Sequence, residues 1–82
     1  MVKVVLTSSI SSEYTSGQAE IEVEGADVRA IVRALEDRYP GLGERIQTEM
    51  AIAIDGEIFQ DPFLEPVQPD SEVFVLPKIG GG

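Results

Sequence analysis

One apolar stripe limits the folds open to this chain. Val28, Ile31, Val32, Leu35 and Tyr39 recur at helical spacing and Pro40-Gly41 ends the run, which predicts a single main helix with one apolar side. Asp27 stands where its carboxylate can accept from the free amides of the first turn, as an N-cap does. The segments around this helix are β-like. Met1 to Thr7 carries the β-branched Val2, Val4 and Val5, fit for a strand buried on at least one face. From Gln18 the chain alternates, with Ala19, Ile21 and Val23 on one face and Glu20, Glu22 and Glu24 on the other, the pattern of a half-buried strand. Ala51–Ile54 and Glu57–Phe59 flank Asp55-Gly56, a dipeptide that favours a type I′ hairpin turn. Glu72 to Leu76 is the last strand, with Val73 and Val75 on one face and Phe74 and Leu76 on the other.

The order is strand, strand, helix, hairpin, strand. A helix after two strands must cover one sheet face, and the β-rich first and last strands belong together at the centre. The expected fold is α+β: a β-grasp roll, a mixed sheet with one main helix packed across it. At 82 residues the chain is one domain, read as a body over 1–77 and a flexible tail over 78–82. Ser8 to Gly17, whose only large apolar residues are Ile10 and Tyr14, reads as a loop. Leu42, Ile46 and Met50 repeat every four residues, which predicts a short second helical piece. Asp61 to Asp70 holds three prolines and reads as an extended connection. Arg33 and Asp37 stand four apart on the outer face of the helix, where they could pair. Glu20, Glu22 and Glu24 are either a docking stripe or a solvated face that protects an edge.

Composition removes most kinds of active site. There are six basic and fifteen acidic residues, a formal net charge of −9, and no Cys, His or Trp. Without Cys there is no thiolate nucleophile, disulfide or iron–sulfur ligand, and without His no imidazole base or usual zinc site. Asp55 and Glu57 flank a tight, wet turn with nothing to raise a pKa, so they make a poor acid–base pair. No catalytic residue and no metal site are expected. The scattered cations fit neither nucleic acid nor an anionic membrane, whereas a basic protein surface suits this charge. The chain shows neither a signal segment nor an apolar run near the ~18 residues of a membrane span, so a cytoplasmic location is expected.

The end of the chain is the most specific feature. Lys78, Ile79, Gly80, Gly81 and Gly82 follow Pro77; at an average Gly frequency of about 7%, three terminal glycines arise by chance in only a few chains per ten thousand. A Gly-Gly terminus has no side chain to block a narrow channel and takes any backbone dihedral. That suits a carboxyl group that reacts inside another protein's active site. A carboxylate is a poor acyl donor until ATP converts it to an acyl adenylate. This chain has no Gly-rich phosphate loop to bind ATP, so a second enzyme must perform the activation.

The order of elements, the Tyr39-Pro40-Gly41 helix exit, the Ala53-Ile54-Asp55-Gly56-Glu57-Ile58 hairpin and above all the run from Glu72 to Gly82 resemble the ubiquitin-like β-grasp sulfur carriers. The family includes the molybdopterin synthase small subunit and the shorter thiamine-pathway carrier. The resemblance implies a protein cosubstrate rather than an enzyme, with no bound cofactor. Gly82, preceded by Gly81, would be adenylated by a ubiquitin-activating-type adenylyltransferase using ATP and converted with a sulfur donor to a thiocarboxylate. The sulfur would pass to a biosynthetic enzyme such as a molybdopterin synthase large subunit. Gly80, Ile79 and Lys78 would thread the tail into the partner, and Phe74 and Leu76 would dock on it. Three features depart from the family pattern: Lys78 replaces a second proline, Asp70-Ser71 a Gly-Asp turn, and Ser8, Ser9, Ser11 and Ser12 an aromatic and Arg-Glu-Leu-like segment. They bear on which downstream enzyme is served. A ubiquitin-like protein modifier and a non-catalytic β-grasp interaction module are the alternatives.

Overall fold

A computed structural model describes residues 1–59 and 62–77. Five strands form one mixed sheet: β1 (Val2–Leu6), β2 (Glu20–Val23), β3 (Met50–Ile54), β4 (Glu57–Phe59) and β5 (Glu72–Pro77). Their order is β2-β1-β5-β3-β4. The first and last strands lie parallel at the centre, with Val4 opposite Val73, as the β-rich ends of the chain predict. All other pairings are antiparallel.

Helix α2 (Val28–Arg38) is the main helix, and Asp27 caps it as expected, its Oδ1 accepting the Ala30 amide at 2.8 Å. Val28, Ile31, Val32 and Leu35 are buried against Val2, Val4, Ile21, Val23, Ile52, Val73 and Val75 of the sheet. Those positions set the inner face; truncating a fully enclosed residue such as Leu35 to Ala costs roughly 2–5 kcal/mol.

Three local expectations need correction. Ser8–Tyr14 is a helix, α1, and not a loop. Ile10 is buried and Tyr14, four residues on, packs against the core, so two apolar residues on one helical face outweigh the poor propensity of the serines. The second helical piece is α3 (Leu42–Glu49), but Met50 begins β3 opposite Pro77 rather than extending the helix. Ala19 is exposed, and β2 begins one residue later. The connection after β4 contains a short 3₁₀ turn at Pro62–Leu64 and a bridge from Pro66 to Asp27; Asp61, at its start, lies outside the described residues.

The α2–α3 junction is tight. Gly41, with φ of 95°, turns the chain in a left-handed conformation that favours glycine. Glu36 reaches from α2 to this turn, where its carboxylate accepts the Gly41 amide at 2.8 Å and the Glu44 amide at 3.3 Å. The Gly41 amide, followed by those of Glu44 and Gly43, holds the Glu36 carboxyl below the usual carboxylate range against the opposing effect of desolvation. Gly43 is packed so closely on α2 that a Cβ there would lie 2.8 Å from the Glu36 Cβ and 3.1 Å from the Val32 carbonyl oxygen.

Candidate functional site

Among the described residues no helix covers the outer face of the sheet, and strand register determines what it presents. Along β5, Val73 and Val75 are buried in the core while Phe74 and Leu76 are half-buried on the opposite face. Phe74 lies opposite Val5 of β1 and Ala53 of β3. Val5 in turn faces Glu20, and Ala53 faces Ile58. A continuous row therefore crosses all five strands: Glu20, Val5, Phe74, Ala53, Ile58. Leu76 and its partner Ala51 extend the apolar surface one step towards the C-terminal end of β5. Ile58 is 60% exposed and, paired with Ala53, carries the apolar row out to the edge strand; contiguity, not exposure alone, is what marks an interaction surface.

Charged residues bound this surface on the side away from the tail. Lys3 pairs with Glu72 across β1 and β5 and with Glu22 across β1 and β2. Its ammonium sits 3.7 Å from a Glu20 oxygen and 3.5 Å from a Glu72 oxygen. Such exposed pairs add little stability, but they neutralise part of the acidic rim where it meets the apolar row.

Phe74 and Leu76, named from the sequence, thus sit together on one face of one strand. Val5, Ala51, Ala53 and Ile58, which complete the surface, were not singled out. Ile58 was within reach of the sequence: the Asp55-Gly56 turn fixes the hairpin register and places it beside Ala53, outward. Val5 and Ala51 needed the parallel β1–β5 pairing and the β3–β5 register, which no local pattern encodes. Beyond Pro77, the last described residue of β5, the positions named for the reacting end, Lys78, Ile79, Gly80, Gly81 and Gly82, lie outside the described residues.

The carboxylates considered for acid–base chemistry have a different setting. Asp55 turns back to β5, where its Oδ2 accepts the Ser71 hydroxyl at 3.0 Å and its Oδ1 the Glu72 amide at 2.9 Å; Glu57 is exposed at the start of β4. Among the described residues no group of three or more carboxylates is placed to hold a metal ion, and no helix is long and apolar enough to cross a membrane.

Comparisons with known proteins agree with this architecture. The molybdopterin synthase sulfur carrier subunit of Pyrenophora tritici-repentis (strain Pt-1C-BFP) is 24% identical over 81 residues, covering 95% of this chain and 87% of the relative. CysO in the Amycolatopsis orientalis BexX/CysO complex superposes with a TM-score of 0.85 at 22% identity over the full length of both chains. The small archaeal modifier protein 1 of Methanosarcina acetivorans gives a TM-score of 0.80 at 23% identity, over 99% of this chain and 95% of that one. At these identities the two structures establish the ubiquitin-like β-grasp fold. The ThiS family model matches residues 9–82, nearly the whole body and the glycine tail together, and the chain belongs to the ThiS family of ubiquitin-like sulfur carriers.

Proposed function

We propose that the protein is a sulfur carrier that works as a cosubstrate, its 1–77 body docking on enzymes that act on the 78–82 tail. In this reading the Gly82 carboxylate attacks the α-phosphorus of ATP inside a ubiquitin-activating-type adenylyltransferase, and pyrophosphate leaves. A sulfide-equivalent donor then displaces AMP from the acyl adenylate to give the thiocarboxylate. The favoured acceptor is a molybdopterin synthase large subunit, by analogy with the curated fungal relative; a thiamine-pathway acceptor is the variant within the same chemistry.

The observation that carries this reading is the placement of Phe74 and Leu76. They project from the uncovered face of the strand that leads directly into the Gly-rich end. An apolar surface anchored on that strand fixes the root of the tail, and five residues at up to ~3.3–3.6 Å each span about 17 Å, enough to reach a reaction centre set back from the interface. The bodily contact supplies affinity, while Gly81 and Gly82 supply an unobstructed acyl end. Lys78, Ile79 and Gly80 would thread the tail between the two.

The test is intact-mass analysis after incubation with an adenylyltransferase of this type, ATP and a sulfur donor. Replacement of one carboxylate oxygen by sulfur is expected, and it disappears when Gly82 is deleted. An unchanged mass with molybdopterin- and thiamine-pathway activators alike would overturn the proposal in favour of an interaction module. The fold likeness to an archaeal modifier protein favours a second reading, in which a lysine amine attacks the same adenylate. Conjugates joined through Gly82 would identify that outcome.

A further inference from the structure

We propose that the crevice between α2 and α3 is a second recognition surface, built around Arg29 and Arg33 for a carboxylate-rich peptide segment of a protein partner. It lies on the helix layer, across the sheet from Phe74, Leu76 and Ile58, so it can be occupied while the outer face is docked.

The charge arrangement is the first argument. Lys3 lies between Glu20 and Glu72, and Arg45 between Glu13 and Glu49; Arg38 donates to the Glu22 carbonyl and lies over the Tyr39 ring. Arg29 and Arg33 have no carboxylate within 4.0 Å among the described residues, in a chain of net charge −9. The Arg33–Asp37 pair that the spacing allows is not formed. Two like charges at i,i+4 repel, and Arg29 stands in the first turn of α2, where the helix dipole opposes a cation. The fold thus maintains two uncompensated guanidinium groups side by side where helix electrostatics disfavours them.

Geometry gives the second argument. Arg29 and Arg33 line an open crevice of about 430 Å³ together with Val32, Glu36, Gly43 and Gln47. Gly43, with no side chain, lets α3 pack directly on α2 at the floor of the crevice. Glu36, the acid of α2 that lines the crevice, is turned to the Gly41 and Glu44 amides and does not pair with the arginines. Glu44 lies at the α3 end of the crevice, so cationic and anionic ends differ. A singly charged carboxylate can take a bidentate guanidinium contact at the cationic end. A phosphate dianion concentrates its charge at one point beside Glu36 and Glu44, whereas an extended segment spreads its carboxylates along the open trough and can set one of them at the arginines. At physiological ionic strength charges are screened beyond ~8 Å, so the local arginine pair outweighs the distant acids of the sheet edge.

An amide NMR titration tests this with an acetylated hexaglutamate peptide, a hexaglutamine control and inorganic phosphate. Saturable shifts are expected at Arg29, Arg33, Gly43 and Gln47 with hexaglutamate alone. They should weaken by about tenfold or more in Arg29→Gln/Arg33→Gln, the scale of one lost charge-assisted contact. Phe74→Ala should leave them unchanged. Both arginines are exposed, so the double variant should keep the wild-type spectrum elsewhere. Shifts that persist in that variant, equal shifts with hexaglutamine, no shifts at all, or a phosphate response at the same amides stronger than that of the peptide would each overturn the proposal.

Discussion

Asp55 ties the β3–β4 turn to the start of β5: its Oδ1 accepts the Glu72 amide at 2.9 Å, and the Asp55 amide donates to the Glu72 carbonyl at the same distance. Its other oxygen accepts the hydroxyl of Ser71, a residue only 3% exposed, and Ser71 Oγ accepts the Gln68 amide. The turn residue therefore aligns the strand that carries the docking face.

Replacing Asp55 by Ala should lower the unfolding free energy by about 1–3 kcal/mol, because it leaves a buried hydroxyl and a strand amide without their acceptor. Asp55→Asn retains one acceptor oxygen and tolerates the residue's positive φ of 49°, so it should lose less. Urea denaturation checks this through the midpoint, with the slope unchanged. Equal stability of wild type and Asp55→Ala would show that the network contributes nothing.

A second prediction concerns Gly43, whose φ is not in the left-handed region, so contact alone governs substitution. In Gly43→Ala the new Cβ would press on the Glu36 Cβ and the Val32 carbonyl, and the carbonyl belongs to a helix backbone that cannot yield cheaply. A loss of about 1–3 kcal/mol is expected from overpacking, with altered amide shifts along both helices. Gly17→Ala is the contrast: φ there is 91° and nothing lies within 4 Å, so its loss should be that of strained backbone, about 1–2 kcal/mol, with shifts confined to the turn after α1. Identical shift patterns for the two variants would contradict the contact argument.

What the sequence disclosed divides along physical lines. The α2 stripe, its Asp27 cap and the Asp55-Gly56 turn are local devices, each encoded within a few residues, and each folds as read. Helix α1 was obscured because four serines mask the spacing of Ile10 and Tyr14, which is decisive only once a core exists to receive them. Met50 continues an every-fourth-residue pattern, yet pairing with Pro77 draws it into the sheet. The split of Phe74 and Leu76 from Val73 and Val75 was legible from strand alternation. The extent of the surface around them was not, because it depends on which strands become neighbours. The Glu36 contacts with Gly41 and Glu44 are equally invisible, since they form only after Gly41 reverses the chain.

Glu36 also predicts a pH dependence. Its folded-state pKa is lowered, with the Gly41 amide as the main cause, so its contribution to stability is present above the unfolded-state value, near 4.5. That contribution drains as pH falls through the lower folded-state value. Wild type should therefore lose more stability than Glu36→Gln on acidification below about 4.5, and the two curves should run parallel at neutral pH. Thermal unfolding of both proteins across that range measures the difference; curves that stay parallel into acid would exclude a role for the Glu36 carboxylate.

The outer face can be separated from the core by three substitutions on neighbouring positions. Ile58 is 60% exposed, so Ile58→Ala should change stability by no more than about 0.5 kcal/mol. Val75 is 1% exposed, and Val75→Ala should cost about 1–3 kcal/mol through lost burial and the cavity left behind. Phe74→Ala lies between, since its ring is only half-buried. If the face docks on the activating enzyme, the order reverses for thiocarboxylate formation: Phe74→Ala and Ile58→Ala should raise KM several-fold with kcat retained, the signature of lost binding that is equal in ground and transition states. Val75→Ala, assayed where it remains folded, should leave KM near the wild-type value. Steady-state kinetics with the carrier as the varied substrate reads this directly. Wild-type KM for both Phe74→Ala and Ile58→Ala would remove the sheet face from the interface, because no loss of folding could then be hiding an effect.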